Sequence, residues 1–117
     1  VILRIADQPA RRLEIAPILA RRLVTAEHSQ RLAVTWMSIE GEHPAIHLLE
    51  TDTVYCYLDG SGWIRIGDGE RQTIGAGDIA FVAAGISFSY GGELEYLVLQ
   101  APPLTADAVV REPDLSV

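Results

Sequence analysis

Lysine is missing from this chain altogether, and its nine basic residues are all arginines. That absence removes Schiff-base catalysis and the ammonium group with which many sites grip phosphate. It also argues against nucleic acid as a partner, because such binding depends on neutralising phosphates with Lys and Arg. There is a single cysteine, Cys56, so no internal disulfide forms, and its place within an apolar strand suggests a small buried hydrophobe. No apolar run approaches the roughly 18 positions of a membrane helix. The first dozen residues, VILRIADQPARR, put Arg and Asp where a signal peptide needs an apolar centre, which gives the expectation of a cytoplasmic protein.

What is present is an ordinary globular composition over 117 residues, enough for one domain with a real core. The net charge of −7 is unevenly spread. Residues 1–35 hold six Arg and three acids, a balance of +3, while residues 36–117 hold three Arg and thirteen acids, a balance of −10.

The spacing of apolar runs is that of an all-β protein. A hairpin is expected from 21–25 and 31–39, then short strands near 45–50, 53–58, 63–66, 71–74, 79–83, 86–90 and 94–99. Turn signals stand at Asp59-Gly60, Gly67-Asp68-Gly69, Gly75 to Asp78, Ala84-Gly85 and Gly91-Gly92. Short strands at such intervals argue for a sandwich or barrel. Residues 2–5 read as an edge strand, and Thr105 as the cap of a helical turn over 106–111 that Pro113 stops. The expected organisation is one domain over 1–117, with a barrel at about 31–103, an arm at 1–30 and a tail at 104–117.

Two glycine-bounded stretches, 41–60 and 77–92, carry a resemblance to the cupin family. The first family motif is Gly, five residues, His-x-His, three or four residues, Glu, six residues and Gly. The chain matches its spacing with Gly41, His47, Leu49, Thr53 and Gly60. The second motif is matched in its glycines by Gly77 and Gly85, with Phe88 where the family has His. A weaker similarity, through residues 55–60 and 87–90, is to metal-poor cupins of the ethanolamine-utilisation type. The resemblance implies a cupin-type double-stranded β-helix, a jelly-roll barrel, whose glycines serve turns.

Of the four ligand positions in metal-binding members, only His47 keeps a donor, since Leu49, Thr53 and Phe88 occupy the others. One imidazole does not hold a divalent ion against water, so no metal and no cofactor is expected. An alternative keeps a metal on a repurposed set around His43 and His47.

With the family's strand parity, Thr53, Tyr55 and Tyr57 face inward with His47 and Leu49, opposite Ile86, Phe88 and Tyr90, with Trp36 or Met37 nearby. An aromatic mouth with one titratable histidine suits a small apolar or aromatic metabolite. Two functional readings remain open. One is a binding protein that holds such a ligand. The other is a metal-independent isomerase, cyclase or lyase in which His47 acts as general acid or base and Tyr55, or Tyr57 or Tyr90, supports a developing anion. A homodimer is expected, through an exposed Trp63 or through strand addition by residues 2–5.

Overall fold

The computed structural model describes residues 1–112. Eight strands follow one another: β1 (Arg11–Arg12), β2 (Ile18–Val24), β3 (Ala33–Leu48), β4 (Asp52–Ile66), β5 (Gln72–Gly75), β6 (Ile79–Val82), β7 (Phe88–Ala101) and β8 (Val109–Arg111). The only helical elements among the described residues are the 3-10 turns Ile5–Asp7 and Ala106–Ala108. All pairings are antiparallel, in the order β1-β2-β3-β7-β4-β5, with β6 beside β4 and β8 beside β3. The architecture is all-β and jelly-roll, as the turn spacing implied.

Three long strands make the barrel. Along its whole length β4 keeps β7 on one side, while on the other it pairs with β6 through 53–56 and with β5 through 61–64. In the same way β3 keeps β7 on one side and exchanges β2 for β8 on the other. Each long strand therefore belongs to both halves of a sheet folded over on itself, and their inward side chains meet in one core. That core includes Ile18, Ile39, Tyr55, Ile64, Phe88 and Val98.

The fold-over explains two glycine-containing dipeptides that read as turns in the sequence. Asp59-Gly60 lies inside β4 and Gly91-Gly92 inside β7, so four expected strands are in fact two. Gly60 has φ +92°, and a Cβ there would meet the Glu93 carbonyl oxygen at 1.9 Å. Gly92 has φ +126°, and a Cβ would lie 2.5 Å from the Gly62 backbone. Gly92 pairs with Gly41 on one side and Gly62 on the other, so three neighbouring strands carry glycine at one level. The sheet bends there because no side chain stands in the way.

Elsewhere the sequence expectations hold in part. The first hairpin forms between β2 and β3. Residues 2–5 are no strand, since Pro9 follows closely and the chain takes a 3-10 turn at Ile5–Asp7 instead. The C-terminal turn is shorter than expected: Thr105 makes no side-chain cap, and the chain passes into β8, whose backbone is satisfied by the free edge of β3. Pro113 lies outside the described residues. Cys56 is half-buried on the outside of β4 rather than in the core.

Candidate functional site

Two bulges decide which side chains enter the barrel. In β4 the pairing with β7 shifts between Tyr57 and Asp59, so Thr53, Tyr55 and Tyr57 point inward before it and Ile64 after it. In β3 the shift lies between His43 and Ile46, across Pro44 and Ala45. Pro44 has no N–H to give to a ladder, which makes it a natural bulge position. The extra residue flips the parity: Ile39 and His43 are buried before it, and Ile46 and Leu48 after it.

His47 is therefore turned out of the barrel, correcting the inward placement expected from the family's parity. Its Nδ1 meets the Glu112 carboxylate, which ties the C-terminal strap to the strand. Leu49 and Ile86, both expected inside, are exposed. Trp36 lies outside as well, on β3 beside Arg21, whose guanidinium carbon is 5.5 Å from the ring centroid. Thr53, Tyr55, Tyr57, Phe88 and Tyr90 are all buried.

The barrel encloses a cavity of about 130 Å³ lined by His43, Tyr55, Phe88, Tyr90, Met37 and Gln100, among others. Leu13, Ile15, Leu104 and Val109 belong to the same wall, so the N-terminal arm and the C-terminal strap both help to line it. A larger cavity of about 310 Å³ lies between residues 3–11 and 20–28. It shares no residue with the aromatic cavity and collects no stacked aromatic rings. The smaller, aromatic cavity is the one with the chemistry.

His43 is its centre. The imidazole stacks on Tyr90 with ring centroids 4.9 Å apart and planes at 17°, and Phe88 continues the stack at 6.3 Å. Nδ1 lies 2.7 Å from the Pro44 carbonyl oxygen. A carbonyl only accepts, so Nδ1–H donates and Nε2 is left as the unprotonated, basic nitrogen. Burial lowers the His43 pKa from the ordinary 6.5; the Pro44 contact pulls the other way, and the charge of Arg111 adds to the lowering. The ring is held neutral, in one tautomer, against an aromatic wall.

Tyr55 and Tyr90 line the cavity with it, and Tyr57 and Tyr96 pack behind them. Tyr55 packs against Tyr57, Tyr90 and Tyr96 at centroid distances of 5.3 to 6.3 Å. The Tyr90 and Tyr96 hydroxyls share a hydrogen bond of 2.7 Å. Burial, as the leading cause, pushes all four phenols above their ordinary value. They act as neutral hydrogen-bonding groups, not phenolates. The Tyr57 hydroxyl and Thr53 Oγ1 are buried without a partner among the described residues.

The residues do not fit a metal. Among the described residues no three His, Cys, Asp or Glu side chains converge, and His43 lines the cavity while His47 does not. The other cavity positions are Tyr, Phe, Met, Leu, Ile, Val and Gln, a wall without the several N, O or S donors that transition metals require. The sequence points to His43 only as a possible metal ligand beside His47, and does not single out Gln100. The signal for His43 was Pro44, since a proline within an otherwise alternating strand announces a change of parity.

An antiparallel barrel with one buried histidine among the described residues and a cluster of buried phenols defines a small jelly-roll protein with an internal site, and known structures share this fold. No protein-family model and no curated protein matches the sequence. Among solved structures, the Streptomyces protein Pac13, described as a unique nucleoside dehydratase, is 18% identical with a TM-score of 0.79 over 96% of this chain and 90% of its own. The polyketide cyclase RemF from Streptomyces resistomycificus is 18% identical with a TM-score of 0.82 over 99% of this chain and 87% of its own. A predicted oxalate decarboxylase from Thermotoga maritima is 20% identical with a TM-score of 0.76 over 88% of this chain and the whole of its own. At these identities the likeness is one of fold: the chain has the cupin barrel.

Proposed function

We propose that the protein is a metal-independent enzyme of the lyase or cyclase type, in which His43 moves a proton on a small cyclic substrate bound in the aromatic cavity. The observation that carries this reading is the state of His43. It is buried, neutral and fixed by its Nδ1–H donation to Pro44, which leaves Nε2 as a base. An elimination or cyclisation begins with removal of a proton beside an electron-withdrawing group, and a neutral imidazole suits that step near neutral pH. The developing oxyanion needs hydrogen-bond donors that do not themselves ionise, and the phenols of Tyr55 and Tyr90, pushed upward by burial, are such donors. Proton return from the imidazolium to a leaving hydroxyl completes a dehydration; return to carbon completes an isomerisation.

The comparisons support this reading without reaching the substrate. Pac13 structures include one variant with a histidine replaced by glutamine and others with a tyrosine replaced by phenylalanine, each with uridine. A histidine with tyrosines is the equipment of the present cavity as well. A space of about 130 Å³ is comparable with an apolar cavity that accepts one benzene-sized ring. The buried part of the substrate is thus a single small ring, and the rest lies at the mouth. In this reading the substrate is a soluble cytoplasmic metabolite.

A binding module without turnover is the second reading, favoured by the largely apolar wall that Leu13, Ile15, Leu104 and Val109 contribute. The two part on one experiment. Ligands are found by thermal shift among nucleosides and small aromatic or cyclic metabolites, and each hit is incubated with protein and followed by mass spectrometry. Conversion is expected, with His43→Gln slowing it by about 10²- to 10⁴-fold while circular dichroism stays native and His47→Ala leaves the rate unchanged. Recovery of every ligand unaltered favours the binding module. Full activity in His43→Gln removes the base from the mechanism.

A further inference from the structure

The sequence Ala-Arg-Arg-Leu occurs twice, at 10–13 and at 20–23, and the fold sets the two copies side by side. β1 pairs with β2 so that Arg11 lies opposite Ala20 and Arg12 opposite Leu19. Strand alternation then places Arg22 on the same face as Ala20, diagonally across the ladder from Arg11, where Cβ atoms stand about 7–8 Å apart. Both arginines line the cavity of about 310 Å³ between the N-terminal arm and the end of β2, away from the aromatic site. Ala20 lines it with them, and its single buried methyl leaves the space beside the two longer side chains open.

The walls of this cavity are fixed at both ends. Arg21, on the other face of β2, donates from Nη1 to the carbonyl oxygens of Gln8 at 2.9 Å and Ala6 at 3.2 Å, which ties the arm to the strand. The turn after β2 is closed by His28. The Thr25 N–H donates to its Nδ1 at 3.0 Å, and the His28 N–H donates to the Thr25 carbonyl oxygen at 2.9 Å. An Nδ1 that accepts carries no proton, so the ring is neutral and Nε2–H is its remaining donor.

Among the described residues neither Arg11 nor Arg22 has a carboxylate within ion-pair distance. Glu27 is the one acid in the lining, so two arginines and one glutamate leave the cavity with a net charge of +1. Leu3, Pro9 and Leu23 add an apolar wall that contains no aromatic ring. Guanidinium forks bind a carboxylate through paired N–H···O bonds, and the apolar wall suits a short carbon body. The single net charge matches a monoanion; a phosphate dianion would be repelled more strongly by Glu27. From this we infer that the cavity is a second binding site, for a small aliphatic monocarboxylic acid held by Arg11 and Arg22. The site gives a use to the +3 balance of residues 1–35, which the aromatic cavity leaves idle. The inference is independent of the reaction in that cavity.

Proton–nitrogen correlation NMR on the whole chain, titrated with hexanoate to tens of millimolar, tests it. Saturable shifts are expected at the Nε–H signals of Arg11 and Arg22 and at the amides of residues 20–28, with the amides of Tyr55 and Phe88 unmoved. Hexanamide, which keeps the carbon body without the charge, should bind at least about tenfold more weakly, and hexyl phosphate should also bind more weakly than hexanoate. Arg11→Gln and Arg22→Gln should each weaken hexanoate by about tenfold. Arg31→Gln, in the same basic segment but outside the cavity, should change it by less than about twofold. The variants' own spectra show that each is folded. Absence of a saturable shift, or shifts confined to the aromatic cavity, overturns the inference. Equal binding of hexanamide does so as well, because the arginines then hold nothing, as does tighter binding of hexyl phosphate. A loss in Arg31→Gln as large as in Arg22→Gln overturns it too, since general surface charge and not a site then attracts the anion.

Discussion

His43 and His47 stand four residues apart on one strand and meet opposite surroundings. His43 is stacked between the barrel wall and Tyr90, while His47 is half-exposed against Glu112. Burial sets the protonation of His43, and this has a thermodynamic consequence. The native pKa of His43 lies below 6.5, whereas the unfolded chain titrates near that ordinary value. Above pH 6.5 neither state carries the proton; below it the unfolded state takes up a proton that the native state refuses, so stability falls with pH until the native group also titrates. Between pH 7.5 and 5 the unfolding temperature of the wild type should therefore fall by more than that of His43→Phe. Parallel curves would mean that the imidazole is not buried as described. Every other ionisable group is common to both proteins and cancels in the comparison.

At the scale of elements, glycine decides where a strand bends and a bulge decides where its side chains point. The backbone of β7 passes Gly92 with a positive φ and with the β4 backbone in the place of a Cβ. Gly92→Ala should cost at least about 2 kcal/mol, since conformational strain and a backbone collision add. Ala76→Gly, in the exposed turn before β6, should cost under about 1 kcal/mol. Chemical denaturation of both checks the contrast, and equal losses would show that the glycine row is not what lets the sheet fold. The same two devices explain what was legible beforehand. The number of strands and the glycine spacing pointed to the jelly roll, and Thr53, Tyr55, Tyr57, Phe88 and Tyr90 were correctly read as inward. Strand alternation alone could not count past Pro44, so His47 and Leu49 were placed on the wrong side and His43 was weighed only as a metal ligand beside His47. Nor could it tell a glycine that ends a strand from one that bends it, because both need the same absent Cβ.

For the molecule as a whole, the sharing of β3, β4 and β7 between both halves of the barrel means that neither half keeps its partners if the other is lost. Loss of β2 and β8 exposes one edge of β3, but β7 cannot leave without opening the cavity from end to end. Unfolding should therefore be a single transition, and the two tryptophans are placed to test it. Trp36 sits opposite Leu97 and reports on the β2–β3 end, whereas Trp63 sits opposite Gly91 and Thr73 and reports on the β4–β5 hairpin. Along β7 these positions are six residues apart, about 20 Å at strand rise. Trp36→Phe leaves one probe and Trp63→Phe the other. In each variant the fluorescence midpoint in urea should coincide with that of its own far-ultraviolet circular dichroism. A Trp36 signal that moves well before the circular dichroism would mean that the N-terminal arm and β2 unfold as a separate unit.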